Sequence, residues 1–134
     1  MDMDRKHRLL ITAFALGLLY FSGRILFFGG RVVFDSSLVF RFLLLAPLAE
    51  ELFFRGVLQE WLERRKWRSF YFISAANIAV SAVFAVFHLW GGTPLHAFAV
   101  FFPSLVFGSL YSEYRSVLPS AVCHAFYNLN VMIV

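Results

Sequence analysis

The chain has 134 residues, 60% of them hydrophobic and 15% charged, with a net charge of +4. Soluble domains carry about 25% charged residues, so the composition excludes one and predicts a single membrane-embedded domain over residues 1–134. The lone cysteine, Cys123, excludes an internal disulfide framework, and the basic residues cluster beside apolar stretches, which assigns them to membrane topology rather than to nucleic acid.

Taken in order, a short polar start with Arg5, Lys6, His7 and Arg8 leads into an apolar stretch, Leu9–Phe28. It is longer than a signal-peptide core and lacks a small-residue cleavage site, so it reads as an uncleaved first span. Gly29-Gly30-Arg31 ends it, and Asp35-Ser36-Ser37 offers N-cap residues for a second helix, Ser36 to Trp61, which Pro47 should kink. A basic loop, 64–68, precedes a third span, Phe70–Trp90. After the turn Gly91-Gly92-Thr93-Pro94 a fourth span, Leu95–Tyr114, is interrupted by Pro103. Ser104, Gly108 and Ser112 form a stripe along it that lets another helix approach closely. The fifth span is Val117–Val134. The expected fold is an all-α polytopic bundle of about five spans. The positive-inside rule puts its N-terminus in the cytoplasm.

The second helix carries the informative charges. Glu50, Glu51 and Arg55 stand inside an apolar run from Leu38 to Leu58. Three charges near the middle of a spanning helix cost roughly 8–10 kcal/mol, against roughly 4–8 kcal/mol from the Leu, Val and Phe residues around them. Such charges must turn inward, and they mark a functional site. Glu51 and Arg55 are four apart with the acid first, the favourable order for an ion pair. Glu50 points about 100° away and is left free for chemistry.

Other polar groups recur on the later helices. Phe84 and His88 share one face of the third, together with Asn77 and Ser81, which read as helix–helix hydrogen-bonding groups. His124 and Asn128 are four apart on the fifth and can direct two donors at one atom, as a developing oxyanion requires. Cys123 points away from His124 and reads as a small buried group. His96, just after a turn, reads as interfacial. Two alternatives stay open: a non-enzymatic binding, immunity or chaperone protein that uses the same polar pocket, and a metalloenzyme with Glu50, His88 and His124 as ligands. A straight bundle would separate Glu50 from His88 by about 10 Å along the membrane normal.

Glu50-Glu51-x-x-x-Arg55, Phe84-x-x-x-His88 and His124-x-x-x-Asn128, in that order, resemble the CAAX protease and bacteriocin-processing (abortive-infection) family of glutamic-type intramembrane proteases. The resemblance covers Pro47 to Asn128. It implies that Glu50 and His88 activate a water, with Glu50 as general base. It implies that Glu51 and Arg55 organise the site and that His124 and Asn128 form an oxyanion hole. It implies no metal and no cofactor. The partners it implies are the lipid bilayer and a membrane-anchored protein or peptide cut near its C-terminus, at a sorting signal or a prenylated tail. It places the chain in a prokaryotic plasma membrane.

Overall fold

The computed structural model describes residues 3–65, 68–70 and 72–133, with the side chain of Phe28 left out. Lys66 and Trp67 of the expected basic loop, Tyr71 of the expected third span, Val134 and the first two residues lie outside it. The chain is all-α and mostly helical. Helix α1, Met3–Phe28, is the uninterrupted apolar helix expected from composition. Helix α2 runs over 36–63 without a break but changes its winding: π-helical turns at Val39–Leu45 and Leu52–Gln59 flank an α-helical piece, Ala46–Glu51. Asp35 caps its N-terminus by accepting from the hydroxyl and backbone N–H of Ser37 and from Leu38 N–H. These bonds hold the Asp35 carboxyl below the usual carboxylate range.

Three expectations are corrected. The third span is shorter than Phe70–Trp90, because Ser69–Phe70 and Ile73–Ser74 pair as a small antiparallel hairpin, β1 and β2, and helix α3 covers only Ala75–His88. Ser74 caps α3 by accepting from Asn77 N–H. Pro103 does not interrupt the fourth helix, and α4 runs through it from Pro94 to Tyr114. The fifth helix, α5, stops at Tyr127, where a 3-10 turn, Asn128–Met132, leads to a bridge between Ile133 and Val32.

Two helices, Met3–Phe27 and Pro94–Tyr114, are long and apolar enough to cross a membrane. At 14 and 11 residues, α3 and α5 reach about 21 and 16 Å, less than the ~30 Å hydrocarbon core. The stretch 36–63 has the length but carries the charges. Five spans are therefore not shown.

The surface exposes many large apolar side chains, and the interior holds polar and charged groups beside its apolar clusters. Leu19, Leu26, Phe27, Phe40, Phe98 and Trp90 face outward, while Glu51, Arg55, Gln59, Asn77, Ser81 and Ser104 are wholly buried. Lipid removes most of the hydrophobic drive for helices to associate, which leaves packing and interhelical hydrogen bonds to hold them. Asn77 Nδ2 donates to Leu105 O (2.9 Å), Ser104 Oγ to Ser81 Oγ (3.0 Å), and Gln59 Nε2 to Gly108 O (2.9 Å). At roughly 0.6 kcal/mol per bond these three supply about 2 kcal/mol.

The stripe on α4 is what admits α2 and α3. A Cβ on Gly108 would overlap Asn77 Oδ1 and come within 2.8 Å of Gln59 Oε1. Gly108→Ala should therefore destabilise by about 1–3 kcal/mol through overpacking. Gly23→Ala meets nothing within 4 Å and should be neutral. Thermal unfolding of the detergent-solubilised proteins checks this, and equal midpoints for the two would refute the packing argument.

Candidate active site

The π-helical turns of α2 set the site. Side chains four apart along this helix lie one above the other and bond in series. Arg55 Nε donates to Glu51 Oε2 (2.9 Å), Arg55 Nη1 to Gln59 Oε1 (3.2 Å), and Gln59 Nε2 to Glu63 Oε1 (2.9 Å). Arg55 Nη2 reaches α4, donating to Ser104 O (3.0 Å) and Ser104 Oγ (2.6 Å). Glu51 and Arg55 are both completely buried, and each is paired and hydrogen-bonded, as a buried charge must be.

Glu51 also joins α5. Its Oε1 accepts from His124 Nδ1 at 2.9 Å. A carboxylate only accepts, so Nδ1 carries the proton and Nε2 faces the other way. Nε2 lies 3.9 Å from Glu50 Oε2, too far for a hydrogen bond. The imidazole is fixed by stacking on Phe107, with ring centres 4.8 Å apart and 13° between planes. His124 thus stands between the two glutamates, bonded to Glu51 and aimed at Glu50.

Glu50 carries one of two buried unsatisfied oxygens among the described residues, the other being Asn130 Oδ1. Its Oε2 is buried without a hydrogen-bond partner, while the side chain as a whole keeps 34% of its exposure. That exposure faces a cavity of about 330 Å³ lined by Glu50, Phe54, Phe87, His88, Gly91 and His96. His88 Nδ1 lies 2.9 Å from Phe84 O. A carbonyl also only accepts, so Nδ1 donates and the Nε2 lone pair is left for a water or substrate hydrogen.

The depth difference expected between Glu50 and His88 is thereby removed. Ser74 Oγ donates to Glu63 Oε1 (3.2 Å), which ties the end of α2 to the start of α3. Glu50 lies 13 residues before Glu63, and His88 lies 14 residues after Ser74. The two antiparallel helices carry them to the same level. Counting α3 from residue 70 had set His88 too far along.

Asn128 is placed differently. Its Nδ2 donates to Phe42 O at 2.9 Å. In this turn Ala46 N–H bonds Arg41 O, so the next i→i+5 donor would be residue 47, which is proline and has none. Pro47 frees the Phe42 carbonyl, and Asn128 satisfies it from α5. Asn128→Ala should cost about 1–3 kcal/mol by leaving that carbonyl bare. Adding Pro47→Ala should recover most of the loss, because the new N–H can serve Phe42. Unfolding midpoints of the single and double variants decide it: no recovery in the double would contradict the pairing.

Glu50, Glu51, Arg55, His88 and His124 therefore converge, with Asn128 one turn beyond His124 and one of its two amide hydrogens given to Phe42 O. Among the described residues no three His, Cys, Asp or Glu side chains are grouped as metal ligands. Residues 32–130 match the family described as Type II CAAX prenyl endopeptidase Rce1-like. The chain belongs to that family. No curated protein and no solved structure matches it. The family match takes in α2 to α5 and with them all six side chains picked out from the sequence, leaving out α1. Membership makes the chain a membrane-embedded member of a protease family.

The sequence did not single out Gln59 or Glu63 of this family member's site, and it set His96 at the interface. Gln59 and Glu63 continue the period of four from Glu51 and Arg55, a signal that was present but hidden where the apolar run gave out at Leu58. His96 gave no signal of its own. The turn at 91–93 folds it against α3, with its ring centre 6.0 Å from that of His88.

Proposed function

We propose that the chain is an intramembrane endopeptidase of glutamic type that cuts near the C-terminus of a membrane-anchored substrate, with prenylated CAAX-type tails as the substrate class. The observation that carries this reading is the shared cavity: Glu50, with a buried unpaired oxygen, is the one acid in its wall among the described residues, and His88, with a free Nε2, stands in the same wall. A water between them donates one hydrogen to the Glu50 carboxylate and the other to His88 Nε2. Its lone pair is then free to attack.

The water oxygen adds to the scissile carbonyl carbon as Glu50 takes its proton, and the carbonyl π electrons move onto oxygen. Collapse of that oxyanion breaks the C–N bond, and Glu50 returns the proton to the leaving amine. Glu51, pinned by Arg55, holds the His124 ring in place behind Glu50. Asn128 clamps α5 to the turn of α2 that precedes Glu50. That the family is one of CAAX prenyl endopeptidases supports the substrate class.

The test uses purified full-length protein in lipid vesicles and a farnesylated peptide ending in a CAAX sequence, with cleavage read by mass spectrometry. The wild type should release the C-terminal residues, and Glu50→Gln and His88→Ala should leave the peptide whole. An intact peptide with the wild type, or full cleavage by either variant, overturns the proposal.

A further inference from the structure

We propose that a second cavity binds an anionic phospholipid, with one acyl chain inside it and the headgroup phosphate on a basic rim. The cavity, about 290 Å³, is walled by Leu9 and Ala13 of α1, Phe70 and Phe72 of the hairpin, and Leu105 and Val106 of α4. A water's share of the liquid is about 30 Å³, so there is room for about ten groups of that size. The lining brings two hydroxyls, those of Thr12 and Ser109, and Ser109 Oγ is already given to Leu105 O (2.8 Å). Such a wall suits methylenes and offers little to a polar ligand. Leu16 and Phe70 at its edge are exposed, so it opens on the outer surface of the bundle, where lipid stands. Leu105 and Ser109 lie nine and five residues before Tyr114, so it reaches about 14 Å down from that end of α4.

The rim supplies the charge that the wall lacks. Arg5 and Lys6 stand one turn before Leu9 on α1. The Arg5 guanidinium lies over the Phe72 ring, 4.8 Å from its centre, and Lys6 Nζ lies 5.2 Å from the ring centre of Tyr114 on α4. The two cations bracket the mouth, one leaning to the hairpin and the other to α4. Arg68 stands two residues before Phe70. Two carboxylates share this end, and both are taken: Glu113 pairs with Arg5 and Asp4 with Arg8, each at 3.1 Å. Lys6 and Arg68 have no carboxylate partner among the described residues. A basic pocket between helices, over an apolar floor, is how membrane proteins hold anionic headgroups. The site is separate from the catalytic cavity. Ser104 and Gly108 turn to α2, where they meet Arg55 and Gln59, whereas Leu105 and Val106 occupy another face of α4. His96 is nine residues from Leu105, about 14 Å along the helix. A lipid here leaves the catalytic cavity open, and the inference does not depend on the endopeptidase reading.

Photolabelling of the full-length protein tests it. The protein, in phosphatidylcholine vesicles, is irradiated with a trace of phosphatidylglycerol or phosphatidylcholine that carries a diazirine in one acyl chain. Labelled peptides are mapped by mass spectrometry. Label should fall on segments 9–16 and 105–109. One basic residue near an anionic group is worth about fivefold, so the phosphatidylglycerol probe should exceed the phosphatidylcholine probe there by about fivefold or more. Lys6→Gln combined with Arg68→Gln should bring the two probes to parity. Thr12→Phe, which fills the cavity from an exposed position, should lower the yield of both. Absence of label from these segments, equal labelling of the wild type by the two probes, or a preference that survives the loss of both cations overturns the proposal. So does a Thr12→Phe protein that folds and is labelled like the wild type. If that variant does not fold, the wild-type map and the rim variant still decide. Displacement of the label by a farnesylated CAAX peptide would give the cavity to the substrate and overturn the lipid assignment, while loss of cleavage in Glu50→Gln bears only on the endopeptidase reading.

Discussion

Glu50→Gln should fold like the wild type, bind the same peptide, and cut it at a rate lower by about 10²–10⁴-fold, the usual worth of a positioned general base. The substitution is close to isosteric, so the wall of the cavity keeps its shape. Stability should change little. Glu50 Oε2 has no hydrogen-bond partner to lose, and a neutral amide is less costly than a carboxylate beside apolar Phe54 and Phe87. What disappears is the proton acceptor, without which the water on His88 is no better a nucleophile than bulk water. The experiment also separates the enzyme from a binding protein that uses the same pocket, because binding depends on shape and polarity, which glutamine retains. Peptide affinity and cleavage rate measured on the same preparation give the answer. A variant that binds and cuts normally ends the general-base assignment. One that has lost binding and folding shows instead that Glu50 is structural.

Much of this site was legible because intramembrane charge is expensive enough to be informative. Glu51 and Arg55 were readable as a pair from order and spacing, and they make that pair at 2.9 Å. Ser104, Gly108 and Ser112 were readable as a contact stripe, and α2 lies against it: Gln59 Nε2 donates to Gly108 O and Ser112 Oγ. The misses share a physical cause. Apolar length fixes how far a segment could run in lipid but not where hydrogen bonding stops it. Phe70 and Ile73 sit in a hairpin, as aromatic and β-branched residues readily do, and Asn128 ends the last α-helical stretch instead of continuing it. The π-helical winding of α2 left no mark in hydropathy. Asn128 and His96 depended on tertiary neighbours: the Phe42 carbonyl freed by Pro47 claimed one, and a turn carried the other to His88.

The largest effect on stability should come from Arg55→Met. Arg55 serves four acceptors, Glu51 Oε2, Gln59 Oε1, Ser104 O and Ser104 Oγ, from a wholly buried position. Methionine replaces most of its volume and none of its donors. Glu51 would keep only His124 and would be a buried carboxylate without its counter-charge. Breaking a buried ion pair from one side costs about 3–5 kcal/mol, a large part of the 5–15 kcal/mol that holds a typical domain together. Little folded protein should survive solubilisation, and size-exclusion profiles and thermal midpoints would record the loss. Glu51→Gln combined with Arg55→Met removes both charges and should be more stable than Arg55→Met alone, because the penalty lies in the unpaired charge rather than in the missing bond. The double variant should nevertheless be inactive, since His124 loses the carboxylate that fixes its Nδ1–H and Glu50 loses the ring behind it. A single variant as stable as the wild type would show that Glu51 is not held as a charge. A double variant that is stable and active would remove the Glu51–Arg55 pair from the mechanism and leave it a structural strut.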